Sequence, residues 1–321
     1  MGQPDEAVSQ VRTAVRRLLT GAGATGEVAV AVSGGADSLA LAAAARHVSR
    51  RLDLRVLGLV VDHGLQPGSD QVAGRAADQL RGLGLDEVRV LTTEVTGPGG
   101  VEAAARRARY AALRGARTPG TWVLLGHTRD DQAETVLLGL GRGSGPRSIA
   151  GMRPLDPPWA RPLLAVSRAT TVRACAALGL TPWQDPHNTD PAFTRVRLRH
   201  EALPLLEDVL RGGVADALAR TAAQLREDND ALDALAADLL GRALNGATLD
   251  AAVLAAEPAA LRRRAVRSWL TEQGVTDLTD TQLREVDELV GNWRGQGGVR
   301  LRGGLVAGRA HGRLGLDRAE S

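Results

Sequence analysis

No lysine occurs anywhere in this chain of 321 residues, and all 40 of its basic side chains are arginine. That absence excludes Schiff-base catalysis and any lysine–nucleotide intermediate formed on the protein itself. It also reconciles a sequence isoelectric point near 10.1 with a formal charge of only +3, because arginine scarcely titrates below very high pH. Cysteine is almost missing: Cys175 stands alone, so no internal disulfide forms and the fold does not depend on an oxidising compartment. Aromatic residues are 2% of the chain, so Trp159, Trp183, Trp269 and Trp293 are needed for packing first and for stacking bases second. No apolar run is long enough to span a bilayer, and the opening MGQPDEAVSQ lacks the charged-then-apolar plan of a secretory signal. These features predict a cytoplasmic protein with no membrane partner. A hydrophobic share of 44% against 24% charged residues argues against global disorder, and the length suits one large domain with a smaller one, or two of moderate size.

What is present is an alternation of periods. After an amphipathic helix at 5–20, apolar runs at 28–32, 55–61, 87–91 and 121–125 are separated by helical stretches near 38–51, 69–83 and 101–117. This predicts an α/β fold: a doubly wound, mostly parallel sheet with helices on both faces and a ligand beyond the carboxyl ends of the strands. Past residue 145 the rhythm turns to Pro- and Trp-punctuated loops, before RVRLRHEALPLLEDVL resumes a helical pattern. From about 214 onward Ala/Leu-rich helical segments dominate, and GGVRLRGGLVAGRAHGRLGLD closes the chain with glycine turns between short strands. The expected division is a catalytic domain over 1–210 and a smaller, mainly helical domain over 211–321 that ends in short strands.

The first apolar run, VAVAV, breaks into Ser33-Gly34-Gly35-Ala36-Asp37-Ser38 and then into a helix. Two glycines at a strand-to-helix turn let backbone N–H groups approach an anion at the helix N-terminus, so the natural guest is a phosphate. The Gly-Lys-Ser/Thr of the commoner ATP loop is absent, which points to pyrophosphate release rather than γ-phosphoryl transfer. Ser33 and Ser38 supply hydroxyls, and Asp37 holds Mg²⁺ or orients the loop; the ion itself follows from polyphosphate chemistry in general.

Two further polar motifs follow strands, VDHGL at 61–65 and GHTRDDQAET at 126–135. In the second, Thr128 can cap a helix starting near Arg129, with Asp131 three residues on. Asp131 and Glu134 share one helical face, where a pair of carboxylates can receive an ammonium group. VEAAARRARY places Arg106 and Arg109 on one face and Arg107 elsewhere, as a phosphate-binding pair or a solvated basic face. Arg195, Arg197 and Arg199 alternate in a way that does not fit one helical face, so part of that segment is expected to precede the helix.

The loop resembles that of the N-type ATP pyrophosphatases. Together with VDHGL, VEAAARRARY, GHTRDDQAET, RGSG…GM (142–152), RPLL…SR (161–168) and NTDPAFTRVRLRHEALPLL (188–206), the chain resembles the tRNA(Ile)-lysidine synthetase family of that superfamily. The resemblance implies an adenine nucleotide alpha hydrolase-like fold and a ligase acting on the isoleucine tRNA with a CAU anticodon. The wobble cytidine would be adenylated by ATP, and free lysine would then displace AMP at C2, giving lysidine, AMP and pyrophosphate. It also implies roles for residues. Ser33 to Ser38 would bind ATP phosphates, Asp62 and His63 the adenosine part, and His127 would stand beside the reaction centre. Asp131 and Glu134 would serve lysine binding and catalysis, Arg106 and Arg109 would act near the active site, and Arg195, Arg197 and Arg199 would grip tRNA phosphates. Thr128 stands where many relatives carry a second histidine, which argues against a two-histidine proton relay. The rival within the same loop class is an amide-forming small-molecule synthetase such as NAD synthetase; a tRNA thiolase is excluded by the single cysteine. The apolar faces of the C-terminal helices leave open a homodimer or simply a filled domain core.

Overall fold

A computed structural model describes residues 5–97, 100–143, 145–185 and 189–318. Ser144 and Asn188, which belong to two of the motifs above, lie outside these residues. The chain divides into two compact units, Met1–Gln224 and Leu225–Ser321.

The first unit opens with helix α1 (Glu6–Gly21), where Asp5 accepts the Ala7 N–H at 2.8 Å and Val8, Val11, Val15 and Leu19 form one buried stripe. The spacing of that stripe is the helical period, and each fully buried aliphatic side chain stabilises by roughly 1.5–3 kcal/mol. Strand β1 (Glu27–Val32) leads into α2 (Ala36–Leu52), β2 (Arg55–Asp62) into α3 (Ser69–Gly82), and β3 (Glu87–Thr92) into α4 (Gly100–Ala116). Strand β4 (Trp122–Leu124) leads into α5 (Arg129–Gly141), followed by the short helix α6 (Pro146–Ile149). Strands β1, β2, β3 and β4 are parallel and lie in the order β3-β2-β1-β4.

The period of two along β1 sorts its side chains between two cores. Val28, Val30 and Val32 join α1, α2 and α3 on one face, while Ala29 and Ala31 meet Leu113 of α4 and Trp159 on the other. The expected doubly wound sheet is therefore present, with helices on both faces. Two strands were not legible in the loop-like stretch after 145: β5 (Leu155–Asp156) and β6 (Trp159–Ala160) extend the sheet beyond β4. Each is two residues long, too short for any period to register.

Helix α7 (Arg168–Ala177) returns onto α1 and α2, and α8 (Thr194–Arg197), a π-helical turn (Leu198–Ala202) and α9 (Leu203–Val209) follow. Helix α10 (Val214–Ala243) carries the division between the units. Its first turns belong with the first unit because Val214 and Leu218 pack with Ala133, Leu137, Leu203 and Leu206.

The second unit continues through the hairpin β7 (Leu244–Asn245) and β8 (Thr248–Asp250), then α11 (Ala251–Ala255), α12 (Ala259–Glu272) and α13 (Asp280–Gly291). It closes with β9 (Val299–Leu301), β10 (Leu305–Ala310) and β11 (Arg313–Arg318), all antiparallel, as the glycine-punctuated ending predicts. Its core gathers Leu239, Trp269, Leu270, Val286, Leu289 and Leu314, so Trp269 is a packing residue. No helix among the described residues is long and apolar enough to cross a membrane.

Candidate active site at the carboxyl edge of the parallel sheet

In the order β3-β2-β1-β4 the chain reverses its winding between β1 and β4, and ligands of such sheets bind in the crevice at that reversal. Both motifs richest in polar groups sit there. Ser33 to Ser38 leave β1, and His127 to Glu134 leave β4.

The loop is braced internally. Ser38 Oγ donates to Gly35 O at 2.9 Å, lies 3.4 Å from Ser33 Oγ, and accepts the Ser33 N–H at 3.2 Å. Gly34 has φ of +85°, a left-handed conformation that favours glycine. Gly35 caps α2 with no side-chain hydrogen bond, so the first N–H groups of that helix receive no cap from the N-cap side chain and suit an anion. Gly126 lets β4 approach the same helix end. A Cβ placed there would stand 3.1 Å from the Asp37 carbonyl carbon and 3.1 Å from the Ser38 nitrogen.

Thr128 caps α5 as expected and Asp131 reciprocates: Asp131 Oδ2 accepts the Thr128 N–H at 2.8 Å and its hydroxyl at 2.9 Å. The other Asp131 oxygen receives Arg168 Nη2 at 2.6 Å and Arg199 Nη2 at 3.4 Å. Burial works to raise the Asp131 carboxyl, but Arg168 and the Thr128 N–H outweigh it and hold the group below its ordinary value.

Glu134, expected to serve lysine binding and catalysis, is enclosed by arginines. Its side chain is 0% exposed and pairs with Arg199 (Nε to Oε1, 2.8 Å), with Arg168 at 3.6 Å and Arg195 at 3.7 Å. In this arrangement Glu134 has no free face for an ammonium group; guanidinium groups already fill it. Asp37 accepts the Thr171 hydroxyl and lies 3.4 Å from Arg168 Nε, and burial raises its carboxyl despite those two partners.

The segment 194–209 is helical from its start, so the expectation that part of it precedes the helix is corrected. Arg195 and Arg199, four residues apart across the π-helical turn, both point at the α5 carboxylates. Arg197 faces away and pairs with Glu201 at 2.8 Å on the exposed side. The alternation of the three arginines thus reflects two faces of one helical segment.

His127 stands just past the end of β4 with its Nδ1 buried and, among the described residues, without a hydrogen-bond partner. Burial lowers it to about 3, helped by the charges of Arg161, Arg109 and Arg106 and opposed by Asp131. The imidazole is therefore neutral at pH 7 in the free protein. Arg106 and Arg109 share the Tyr110 ring, 4.9 Å and 5.7 Å from its centroid, as the helical spacing predicts. Among the described residues neither is ion-paired to a carboxylate, and burial lowers Arg109. Arg109 also lies near enough to His63 to lower it further, after burial itself. At the end of β2, Asp62 accepts the Gly64 N–H at 3.0 Å and His63 Nδ1 lies 3.4 Å from Thr93 Oγ1. One wall of the crevice is thus an arginine-balanced acid cluster, and another carries cations that have no acid partner among the described residues.

Sequence reasoning did not single out Arg168, Thr171 or Gly126. A signal for Arg168 exists: it follows Ser167, the cap of α7, and so places a cation at the helix end that disfavours one. No motif signal marks Thr171, because its contact with Asp37 joins residues 134 positions apart.

The group that phosphate chemistry calls for, a magnesium ion, is compatible with Asp37. Such ions are commonly held by one or two carboxylates together with substrate phosphates. Among the described residues no three His, Cys, Asp or Glu side chains cluster as a metal cage, so the nucleotide would supply most of the ligands.

A family model described as a PP-loop domain matches residues 8–206, and one described as a TilS substrate binding domain matches residues 249–314. The chain is similar to the tRNA(Ile)-lysidine synthase of Rhodococcus erythropolis strain PR4, with 58% identity over 96% of this chain and 95% of that one. It is similar to the tRNA(Ile)-lysidine synthase of Nocardia farcinica at 62% identity, over 92% of this chain and 93% of that one. Among solved structures, the U34-tRNA thiolase NcsA from Methanococcus maripaludis aligns with a TM-score of 0.56 at 17% identity, over 69% of this chain and 80% of that one. That likeness concerns the fold alone.

Proposed function

Because the chain belongs to the tRNA(Ile)-lysidine synthase family, we propose that it is a ligase joining free lysine to C2 of the wobble cytidine in CAU-anticodon isoleucine tRNA, at the expense of ATP. The observation that carries this reading is the meeting of the phosphate loop, Arg109, which is ion-paired to no carboxylate among the described residues, and the neutral His127 at the reversal of the sheet. A small-molecule amide synthetase is not favoured, since relatives matching nearly the whole chain bear the lysidine synthase name.

The nucleotide's phosphates lie at the N-terminus of α2, where Ser33, Ser38 and the open N–H groups receive them. Magnesium held by those phosphates and Asp37 supplies charge neutralisation when bound. The cytosine O2 attacks the α-phosphorus, and the bond to the β-phosphate oxygen breaks with its electron pair, releasing pyrophosphate. Arg106 and Arg109, with no acid partner among the described residues, are available to the charge that develops. The ε-amine of lysine then bonds to C2, the C2–O bond breaks, AMP departs, and the amine sheds its proton. His127 stands beside this step as a neutral imidazole whose Nδ1 has no hydrogen-bond partner among the described residues, so it can orient the reacting groups without adding charge. Lysine's ammonium meets Asp131, which remains 16% exposed, rather than the enclosed Glu134.

The second unit is assigned to tRNA. Its last stretch carries Arg294, Arg300, Arg302, Arg309, Arg313 and Arg318 against two acids, Asp317 and Glu320. There Trp293, 38% exposed, stacks with Arg309 at 5.2 Å, a surface suited to bases and phosphates. Purified protein incubated with ATP, Mg²⁺, labelled lysine and the tRNA transcript is expected to incorporate lysine and release AMP and pyrophosphate in equal amounts. Failure to incorporate lysine, with ATP binding intact, overturns the reading.

A further inference from the structure

Arg168 closes the RPLL…SR motif and lies among the acid groups of the crevice, yet the sequence reading assigned it no role. Its backbone is pinned: its N–H donates to Asp130 Oδ2 at 2.9 Å, and the Arg129 N–H donates to Val166 O at 2.9 Å, stitching the start of α7 to the start of α5. From that anchor the guanidinium reaches Asp131 at 2.6 Å, Asp37 at 3.4 Å and Glu134 at 3.6 Å. Thr171, one turn along α7, donates to the other oxygen of Asp37. A cation at a helix N-terminus opposes the helix dipole, so the stability of α7 does not explain its placement. The planar fork does, because one guanidinium can serve several carboxylates where an ammonium serves as a point charge.

We infer that Arg168 is a positioning residue that ties the phosphate-loop carboxylate Asp37 to the α5 carboxylate Asp131, so that adenylation and amine transfer share one aligned cluster. The inference rests on the ligase reading above. Asp37, held on one oxygen by Thr171 and on the other by Arg168, cannot rotate while both contacts persist. Asp131 keeps its charge against the pull of burial chiefly because Arg168 faces it. Without Arg168, the carboxylate that meets lysine's ammonium would take up a proton at higher pH. If Arg168 were only a brace between α5 and α7, its loss would lower the folded fraction and change neither constant nor pH profile.

The test uses the full chain with Arg168→Met and Arg168→Lys. The readouts are thermal unfolding, pyrophosphate release with ATP and tRNA before lysine is added, and KM for lysine from about pH 5.5 to 8.5. For Arg168→Met, pyrophosphate release is expected to slow about tenfold, KM for lysine to rise about tenfold, and the acid limb to move upward. Arg168→Lys keeps a charge near Asp131 but loses the span to Asp37, so it is expected to recover KM while pyrophosphate release stays slow. An unchanged KM and acid limb in folded Arg168→Met overturns the inference, as does equal recovery of both steps by lysine. Should the methionine variant not fold, Thr171→Val with Arg168→Lys decides: the valine variant is expected to slow pyrophosphate release alone, and an equal loss of both steps refutes the inference. Wild-type protein that releases pyrophosphate but never attaches lysine refutes the ligase reading instead.

Discussion

Replacing Glu134 by glutamine keeps the shape of the side chain and removes one negative charge that faces the guanidinium groups of Arg168, Arg195 and Arg199. Glu134 is 0% exposed, so water cannot substitute for the lost charge. Stripping one partner from a buried ion pair costs roughly 3–5 kcal/mol. Here the lower end applies, because the arginines keep 24–40% exposure and Asp131 still faces Arg168 and Arg199. About 3 kcal/mol, at about 2–4 °C per kcal/mol for a unit of this size, lowers Tm by about 6–12 °C. Thermal and urea unfolding of the two proteins side by side provide the assay, with an unchanged denaturant slope marking a true stability effect. An unaltered Tm together with a raised KM for lysine would refute the reasoning. It would mean that the arginine shell does not depend on this charge and that Glu134 meets the substrate directly.

Other outcomes follow from the same geometry. His127 is lowered from 6.5 to about 3 on folding, so its contribution to stability is whole above pH 6.5 and lost as pH falls toward 3. Its loss proceeds at up to about 1.4 kcal/mol per pH unit. His127→Gln should therefore flatten the acid side of the stability profile measured by urea unfolding, and parallel profiles would count against the buried, neutral imidazole. Gly126→Ala should cost about 1–3 kcal/mol and abolish ATP-dependent turnover, because the new Cβ meets backbone atoms of Asp37 and Ser38 that cannot swing aside; normal turnover would show that the close approach is dispensable. Arg109→Gln should slow pyrophosphate release without lowering Tm, since Arg109 is ion-paired to no carboxylate among the described residues; a large drop in Tm would reveal a structural role. Arg197→Ala should leave unfolding unchanged and reduce the salt dependence of tRNA binding, whereas an unchanged salt slope would remove Arg197 from the RNA interface.

The sequence by itself determined the elements and their order. Periods of two and 3.6 over long segments marked the first four strands and the helices between them, and Thr128 with Asp131 marked the start of α5, because these are local relations among neighbouring residues. The phosphate loop was legible for the same reason, since a strand, two glycines and a helix lie within eleven residues of VAVAVSGGADS. Periodicity says which face of a helix a residue occupies but not what approaches that face. So Glu134 and Arg199, 65 positions apart, read as a substrate-facing acid and a tRNA-facing base, and only the folded chain closed them on each other. Likewise Asp37 acquired Arg168 and Thr171 from a helix more than 130 residues away. Buried charge needs compensation within a few ångströms, and that compensation is free to come from any part of the chain. Tertiary structure therefore decided which charges are balanced within the chain: Asp37 and Asp131 share Arg168, while Arg106 and Arg109 are ion-paired to no carboxylate among the described residues.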